Sequence, residues 1–423
     1  MRGVTAIRAT AGVLLAAGLT AAAQPTAHAG AFLIRDQSAA GFGMAIAGVA
    51  AGDVLSYSFW NPAVLATVRD FEAESVVTGI FPSFDIYPSD ATNAFQSAYG
   101  GTTTSSTDVG KAAVVPASFI AYPLNDRMTL GLAINSAFGL ATSAPDNWAG
   151  QVYSRNSEIF SLNVTPMVSY RINDMISVGA GIQLEYFKAR LTQAIGIEPD
   201  APSAILKADD DLGVGFTLGV QINPWAGTTL GLGYRSSISH DVDGSLTIAG
   251  MSTPAETTLD TPDVVSLGIR QAITDRFRVL GTIEWDHWSR LGELPVTGPG
   301  GVPLTSLKLD YRDGWLYSIG AEYDYSDVLT LRAGIGYEVA PLTTENRDTR
   351  LPETDQLILS AGVTYKYNDR ITLDAAYLYS MGLGDGDIEL TSGNPRYLGV
   401  PFEATSDLDV SIVSVALRMK LGK

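Results

Sequence analysis

The chain contains no cysteine among its 423 residues. That excludes a disulfide framework, a thiolate nucleophile and a thiolate metal site. Charge is also scarce: 17% of residues are charged, against roughly 25% in ordinary soluble domains. Basic residues are the scarcer kind, with 27 Lys and Arg against 45 Asp and Glu, a net charge of −18. A chain of that balance is not built to hold a phosphate backbone, and no nucleic-acid partner is expected. Histidine occurs three times, at His28, His240 and His287. G-x-S-x-G, a complete P-loop and G-x-G-x-x-G are all missing, so no motif points to an enzyme or to a cofactor. Beyond the first residues, no run approaches the roughly 18 apolar residues of a spanning helix. Yet hydrophobic residues make up 46% of the chain, so they must be dispersed in some other pattern.

The first 29 residues read as a secretory signal. Arg2 and Arg8 form a basic start, Ala11 to Ala23 a short apolar stretch, and Ala27-His28-Ala29 a small-x-small cleavage site before Gly30. Removal leaves 423 − 29 = 394 residues, and the loss of two arginines takes the charge from −18 to −20.

Beyond Val68 the hydrophobic period is two. Met128, Leu130, Leu132 and Ile134 alternate with Thr129, Gly131, Ala133 and Asn135. Val214, Phe216, Leu218, Val220 and Ile222 alternate with small or polar residues, as do Leu329, Leu331, Ala333, Ile335 and Tyr337. On the second face, Glu185, Glu284, Asp286, Glu322, Arg332, Glu338 and Asp374 fall in inward phase, where buried charges need partners. Short turns at Asn125-Asp126, Asn173-Asp174, Asn223-Pro224, Thr274-Asp275, Ser326-Asp327 and Asn368-Asp369 alternate with longer connections near 88–111, 140–157, 193–208, 243–260, 290–311, 342–353 and 383–406. Six short and seven long connections join fourteen strands, an even number with both termini on the short-turn side. This is the pattern of an all-β, fourteen-stranded antiparallel transmembrane β-barrel in a Gram-negative outer membrane, its short turns and termini periplasmic. Tyr122, Tyr170, Tyr323 and Tyr367 at one end, and Trp285, Trp288 and Tyr337 at the other, would form interfacial girdles.

Residues 30–68 differ from this. Ala39, Ala40, Gly41, Gly43, Ala45, Ala47, Gly48, Ala50, Ala51 and Gly52 are poor strand material and predict short helices or turns in a tight space. Phe32, Leu33, Phe42, Phe59 and Trp60 argue against a loose tail. We read 30–68 as a hatch inside the barrel of residues 69–423, with Arg35, Asp36 and Asp53 available to the inward charges.

Several pieces stand out in order along the chain: Asn61-Pro62-Ala63 after Gly30-Ala31-Phe32, Tyr122-Pro123-Leu124-Asn125-Asp126-Arg127, Phe138-Gly139-Leu140-Ala141-Thr142, Trp148-Ala149-Gly150, Glu284-Trp285 with Trp288-Ser289, and Leu359-Ser360-Ala361-Gly362. Together they resemble a known family, the FadL-type outer-membrane transporters of long-chain fatty acids and other hydrophobic compounds. Their order and spacing carry the resemblance across the mature chain, although the chain ends in Met419-Lys420-Leu421-Gly422-Lys423 instead of an aromatic residue. The resemblance implies passive uptake of hydrophobic molecules, capture at the outer face, and lateral release through a kinked third strand.

Candidate site residues follow. Asn61, Pro62 and Ala63 are expected to anchor the hatch, since Asn caps, Pro fixes a bend and Ala permits close contact. Phe138, Gly139 and Leu140 interrupt an alternating strand and mark the lateral opening. Phe32, Phe187, Ala189 and Leu191 would line an apolar ligand path. Lys188 and Arg190 sit where the family's fifth strand carries basic residues suited to a carboxylate, yet strict alternation aims both at lipopolysaccharide at the rim. Asp209-Asp210-Asp211 and Asp385-Gly386-Asp387 read as solvated loop charge, with calcium binding as the alternative, and His287 as a packed girdle residue. The expected partners are a fatty acid or hydrocarbon and the surrounding lipid, the protein being a monomer. The alternative is a structural or adhesive barrel acting through its long loops.

Overall fold

The computed structural model describes residues 30–210, 212–384 and 386–422. The expected signal segment 1–29 lies outside them. Fourteen antiparallel barrel strands follow one another in chain order. They are β1 Glu72–Pro88, β2 Ala113–Pro123, β3 Met128–Asn135 with its continuation Gly139–Ser143, β4 Asn156–Arg171, and β5 Ile176–Ala194. Next come β6 Ser203–Asp210 with Gly213–Trp225, β7 Thr228–Arg235 with Ser239–Ile248, β8 Met251–Asp260 with Val264–Ala272, β9 Phe277–Asp286 with Glu293–Gly298, and β10 Val302–Lys308 with Gly314–Asp324. The last four are β11 Leu329–Val339, β12 Asp355–Lys366, β13 Ile371–Leu383 with Ile388–Leu390, and β14 Phe402–Lys420. Each pairs with its neighbour, and β14 pairs with β1 from Glu72↔Lys420 to Pro88↔Ala404, which closes the sheet. Closure removes the edges that hydrocarbon cannot solvate.

Alternation has its expected consequence. Val214, Phe216 and Leu218 are exposed on the outer face of β6, while Gly213, Gly215 and Thr217 are buried. Tyr122, Tyr170, Tyr323 and Tyr367 are exposed beside short turns, as girdle residues should be. No described helix is long and apolar enough to cross a membrane.

Three stretches read as loops are largely strand. The 243–260 connection is a hairpin, Ser239–Ile248 paired with Met251–Asp260. It turns at Ala249 and Gly250, both at positive φ, which matches the strand twist in a two-residue hairpin. The 290–311 connection contains the paired Glu293–Gly298 and Val302–Lys308, and β6 already begins at Ser203 within the 193–208 connection. These hairpins carry the sheet beyond the belt at the long-loop end. The turn placed at Asn223-Pro224 falls instead at Ala226-Gly227, after β6 has run on to Trp225.

Residues 30–68 fill the barrel interior. They form one short helix, α1 Ala39–Phe42, capped by the Ser38 hydroxyl accepting from Gly41 N. Three 3-10 turns follow at Val49–Ala51, Leu55–Phe59 and Pro62–Thr67. Nearly every residue of the segment is buried, and Phe42, Met44, Tyr57, Phe59 and Trp60 form its apolar centre.

Candidate functional site: the hatch and the interrupted strand

The wall is thinned by glycine where the hatch touches it. A methyl group on Gly179 would lie 2.4 Å from the Pro62 carbonyl carbon and 2.5 Å from Ala63 N. One on Gly219 would lie 1.9 Å from the Asn61 amide oxygen, and one on Gly233 1.8 Å from the Trp60 carbonyl oxygen. Gly231 meets Ala50, and Gly334 meets Met44, in the same way. Against this surface Asn61 makes three bonds. Its Oδ1 accepts from Ala63 N at 2.9 Å, and its Nδ2 donates to Ala50 O at 2.7 Å and, across to β6, to Val220 O at 3.0 Å. Pro62 opens the next turn, where its missing N–H costs nothing. Asn61, Pro62 and Ala63 therefore meet the wall together.

Charged contacts fix the rest of the hatch. Arg35 is buried among three carboxylates, bonding Glu284 at 2.5 Å, Glu338 at 2.6 Å, and Asp286. Glu353 reaches in from the 340–354 loop to accept from Gly30 N at 2.5 Å and Ala31 N at 3.0 Å. Burial, together with nearby Glu338, holds the Glu353 carboxyl well above the ordinary range, against the opposing pull of those two N–H groups and Arg35. Glu74 of β1 accepts from Ser56 N and Ser56 Oγ, each at 2.8 Å. Nearer the short-turn end, Glu322 bridges Arg278 and Arg332 at 2.9 Å each, and Arg418 holds Asp374 at 3.2 Å. The inward charges thus form ion pairs inside the barrel, partly through the hatch.

The third strand is interrupted at 136–138, between Asn135 and Gly139. The sequence placed the interruption at Phe138, Gly139 and Leu140. Gly139 and Leu140 in fact begin the resumed strand, pairing with Phe160 and Ile159 of β4. On the other side of the interruption, β2 pairs with β3 only over Ser118–Pro123, although it continues along β1 to Ala113. The wall is therefore open between residues 113–117 and the interruption, bounded toward the long-loop end by the bridge Gly110↔Thr142.

The extended start of the hatch, residues 32–37, bonds the interrupted stretch of β3 that borders that opening. Leu33 bridges Phe138, Ile34 N donates to Ala137 O at 2.8 Å, and Gly139 N donates to Phe32 O at 2.8 Å. Gln37 Nε2 donates to Ser136 O at 2.7 Å, and Ser161 Oγ accepts from Phe138 N at 2.9 Å. Phe32 packs edge-on against Trp288 at 4.6 Å and against Phe138 at 6.1 Å, with Tyr311 6.1 Å beyond Trp288. Trp288 is fully buried in this cluster, not in a girdle. The strand ends at Asp286, and Trp288, in the same inward phase, opens a 3-10 turn over Trp288–Arg290. Its indole N–H has no acceptor among the described residues.

Other expected site residues separate by face. Phe187 is buried and stacks on His240 at 5.1 Å, and Ala189 packs against the core. Lys188 is exposed on the opposite face, its ammonium 5.1 Å from the Phe160 ring. Arg190 shares that outward phase, so neither lines the interior path with Phe187 and Ala189. His287 stacks on Trp285 at 4.9 Å and meets Asp263 at 3.2 Å, as a packed rim residue does. The acidic loop clusters include Asp211 and Asp385, outside the described residues, and no group of three metal-ligating side chains occurs among the described ones. Sequence reading missed Tyr311 and Glu353, and placed Trp288 in the girdle because it is an aromatic beside a long connection.

Residues 19–420 match the model of a family described as outer membrane protein transport protein (OMPP1/FadL/TodX). The chain is 28% identical to outer membrane protein P1 of Haemophilus influenzae, covering 88% of each protein. It is 27% identical to a long-chain fatty acid transport protein of Escherichia coli O6:H1, covering 83% of this chain and 86% of that one. Among solved structures, a Pseudomonas aeruginosa FadL homologue superposes with a TM-score of 0.82 at 23% identity, covering 92% of this chain and 99% of that one. The Pseudomonas putida toluene transporter TodX superposes with a TM-score of 0.65 at 16% identity, covering 90% and 98%.

Proposed function

The chain belongs to the OMPP1/FadL/TodX family of outer-membrane transport proteins, and from that premise we propose that it takes up long-chain fatty acids or other hydrophobic compounds passively and releases them sideways through the β2–β3 opening. The long-loop end faces outward and both termini face the periplasm. The barrel works as a monomer surrounded by outer-membrane lipid and lipopolysaccharide. Residues 30–68 act as the hatch of the 69–423 barrel, with Asn61-Pro62-Ala63 as its anchor.

One observation carries the reading: where β2 and β3 part, the interrupted stretch of β3 is bonded by hatch backbone instead of by β2. A purely structural barrel has no use for such a break, because hydrocarbon penalises every unpaired backbone group. An apolar solute gains little from a water-filled pore, since it must be held by apolar surface until it re-enters lipid. Phe32, Phe138, Trp288, Leu140 and, further along, Phe187, Ala189 and Leu191 supply such surface, and the Trp288 N–H supplies one polar contact for a ligand head. Displacing Leu33 and Ile34 from Phe138 and Ala137 opens the wall at that point.

The test uses the absence of native cysteine. Leu33 and Phe138 are antiparallel bridge partners, about 4.5–5.5 Å apart at Cα, within disulfide range. Leu33→Cys/Phe138→Cys should assemble normally, lose uptake of a radiolabelled hydrophobic substrate when oxidised, and regain it on reduction. Undiminished uptake by the oxidised, fully cross-linked protein would rule out exit by this route.

A further inference from the structure

The outer face of β5 reads Ile176, Val178, Ala180, Ile182, Leu184, Tyr186, Lys188, Arg190. From Ile176 to Tyr186, ten residues at about 3.3 Å rise and about 40° tilt span about 25 Å, the height of an outer-membrane apolar belt. Tyr186 ends that belt as a girdle residue, and Lys188 and Arg190 stand one and two steps beyond it. The register of β6 places Lys207 directly opposite Arg190, and Lys207 is exposed. Like charges directly opposed on neighbouring strands repel.

The acids nearby are engaged with other groups or lie to one side. Glu158, opposite Arg190 on β4, is 3.5 Å from Lys111. Asp209, opposite Lys188, accepts from the Tyr186 hydroxyl at 3.2 Å. Asp243 lies one strand further, opposite Asp209, and Asp241 accepts from Thr258 at 2.9 Å. No carboxylate lies in ion-pair contact with Lys188, Arg190 or Lys207 among the described residues. Three cations thus stand together on the lipid-facing wall of a chain with net charge −18.

We propose that Lys188, Arg190 and Lys207 form a docking site for the phosphate groups of lipopolysaccharide lipid A. The chemistry is complementary. Arg190 presents a planar fork suited to two phosphate oxygens, and the lysines supply point charges on either side. Phe160, beneath Lys188, offers apolar surface to the acyl chains. The level is that of the outer-leaflet headgroups, given the orientation proposed above. The position is specific as well: β4 alone separates the site from β3, so the lipid held there borders the β2–β3 opening. A lipid anchored by its phosphates would fix the outer-leaflet boundary beside the exit.

The test measures lipid A binding to the purified, folded protein in detergent by native mass spectrometry, with hexa-acylated bisphosphoryl lipid A and its dephosphorylated form as probes. The wild type should prefer the bisphosphoryl form at least tenfold. Arg190→Gln should bind it about tenfold more weakly. Lys188→Gln/Arg190→Gln/Lys207→Gln should bind it about a hundredfold more weakly, at roughly a factor of five or more per charge. Heat-modifiability confirms that each variant is folded. Equal binding of the two lipids, or a folded triple variant that keeps full affinity, overturns the proposal. So does a triple variant that keeps lipid A but loses preference for oleate over methyl oleate, since the cluster would then serve a departing carboxylate. Uptake does not enter these measurements, so this inference and the transport reading fail separately.

Discussion

The barrel wall contains two seams of opposite character. Between β14 and β1, seventeen register pairs run without interruption from Glu72↔Lys420 to Pro88↔Ala404. Between β2 and β3 there are six, from Ser118↔Ile134 to Pro123↔Thr129, and beyond them the hatch bonds the β3 side through Ile34, Phe32 and Gln37. The partners of the two seams differ. The first uses strands held on both sides by further strands. The second uses a segment whose hold depends on Asn61, Arg35, Glu353 and Glu74. One seam is mechanical, and the other is as strong as the hatch's attachment.

The comparison breaks most plainly at the mechanical seam. Val413 lies on the lipid face between Gly79 and Tyr377. Val413→Pro removes a ladder donor there, at a cost of about 3 kcal/mol or more. The expected outcome is loss of the heat-modifiable form on gels and loss of outer-membrane abundance. Asn61→Ala should act on the second seam alone. It removes three hydrogen bonds at about 1 kcal/mol each, so limited proteolysis within residues 30–68 should accelerate by roughly a hundredfold while the barrel stays resistant.

A smaller effect should appear at Glu353. Its carboxylate accepts from Gly30 N and Ala31 N, so Glu353→Gln should make the first hatch residues about tenfold more sensitive to limited proteolysis while the barrel stays resistant. Smallest of all should be Ala137→Pro. Ala137 contributes only its carbonyl to the hatch, and the same residue type that destroys the first seam should leave the barrel assembled and heat-modifiable here.

Much of this was readable in the chain before its structure. Fourteen strands followed from the alternation of Asn-Asp-type turns with long connections, because a closed wall in lipid permits no other arrangement of so many half-apolar segments. The hatch followed from small residues at 39–52 beside Phe59 and Trp60. For Lys188 and Arg190 phase pointed outward while the resemblance pointed to a carboxylate, and the sequence left the two readings open. What escaped had a common cause: phase and loop length are local signals. The hairpins at 239–260 and 293–308 are rich in Thr, Gly and Pro and stand beyond the belt, where no lipid imposes a period. Trp288 was assigned to the girdle as an aromatic beside a long connection, although it shares the inward phase of Glu284 and Asp286. The interruption of β3 was displaced by two residues because Gly139 looks like the breaker. In fact the break is stabilised from outside the strand, by Ser161 and by the hatch.

The glycines opposite the hatch have a consequence for how this sequence can change over time. Where two side chains meet, growth of one is accommodated by trimming the other, and the pair can drift together. Gly179, Gly219, Gly231, Gly233 and Gly334 leave nothing to trim. Facing them are Ala50, Trp60, Asn61, Pro62 and Met44, largely through backbone atoms. Along that line the hatch cannot thicken and the wall cannot yield. Variation is forced elsewhere, to places such as Gly48 against Leu280, where the neighbour has atoms to give up. Hatch and wall are therefore inherited as a matched casting and mould, and a hatch grafted from a distant relative should seat only if its backbone follows the same path.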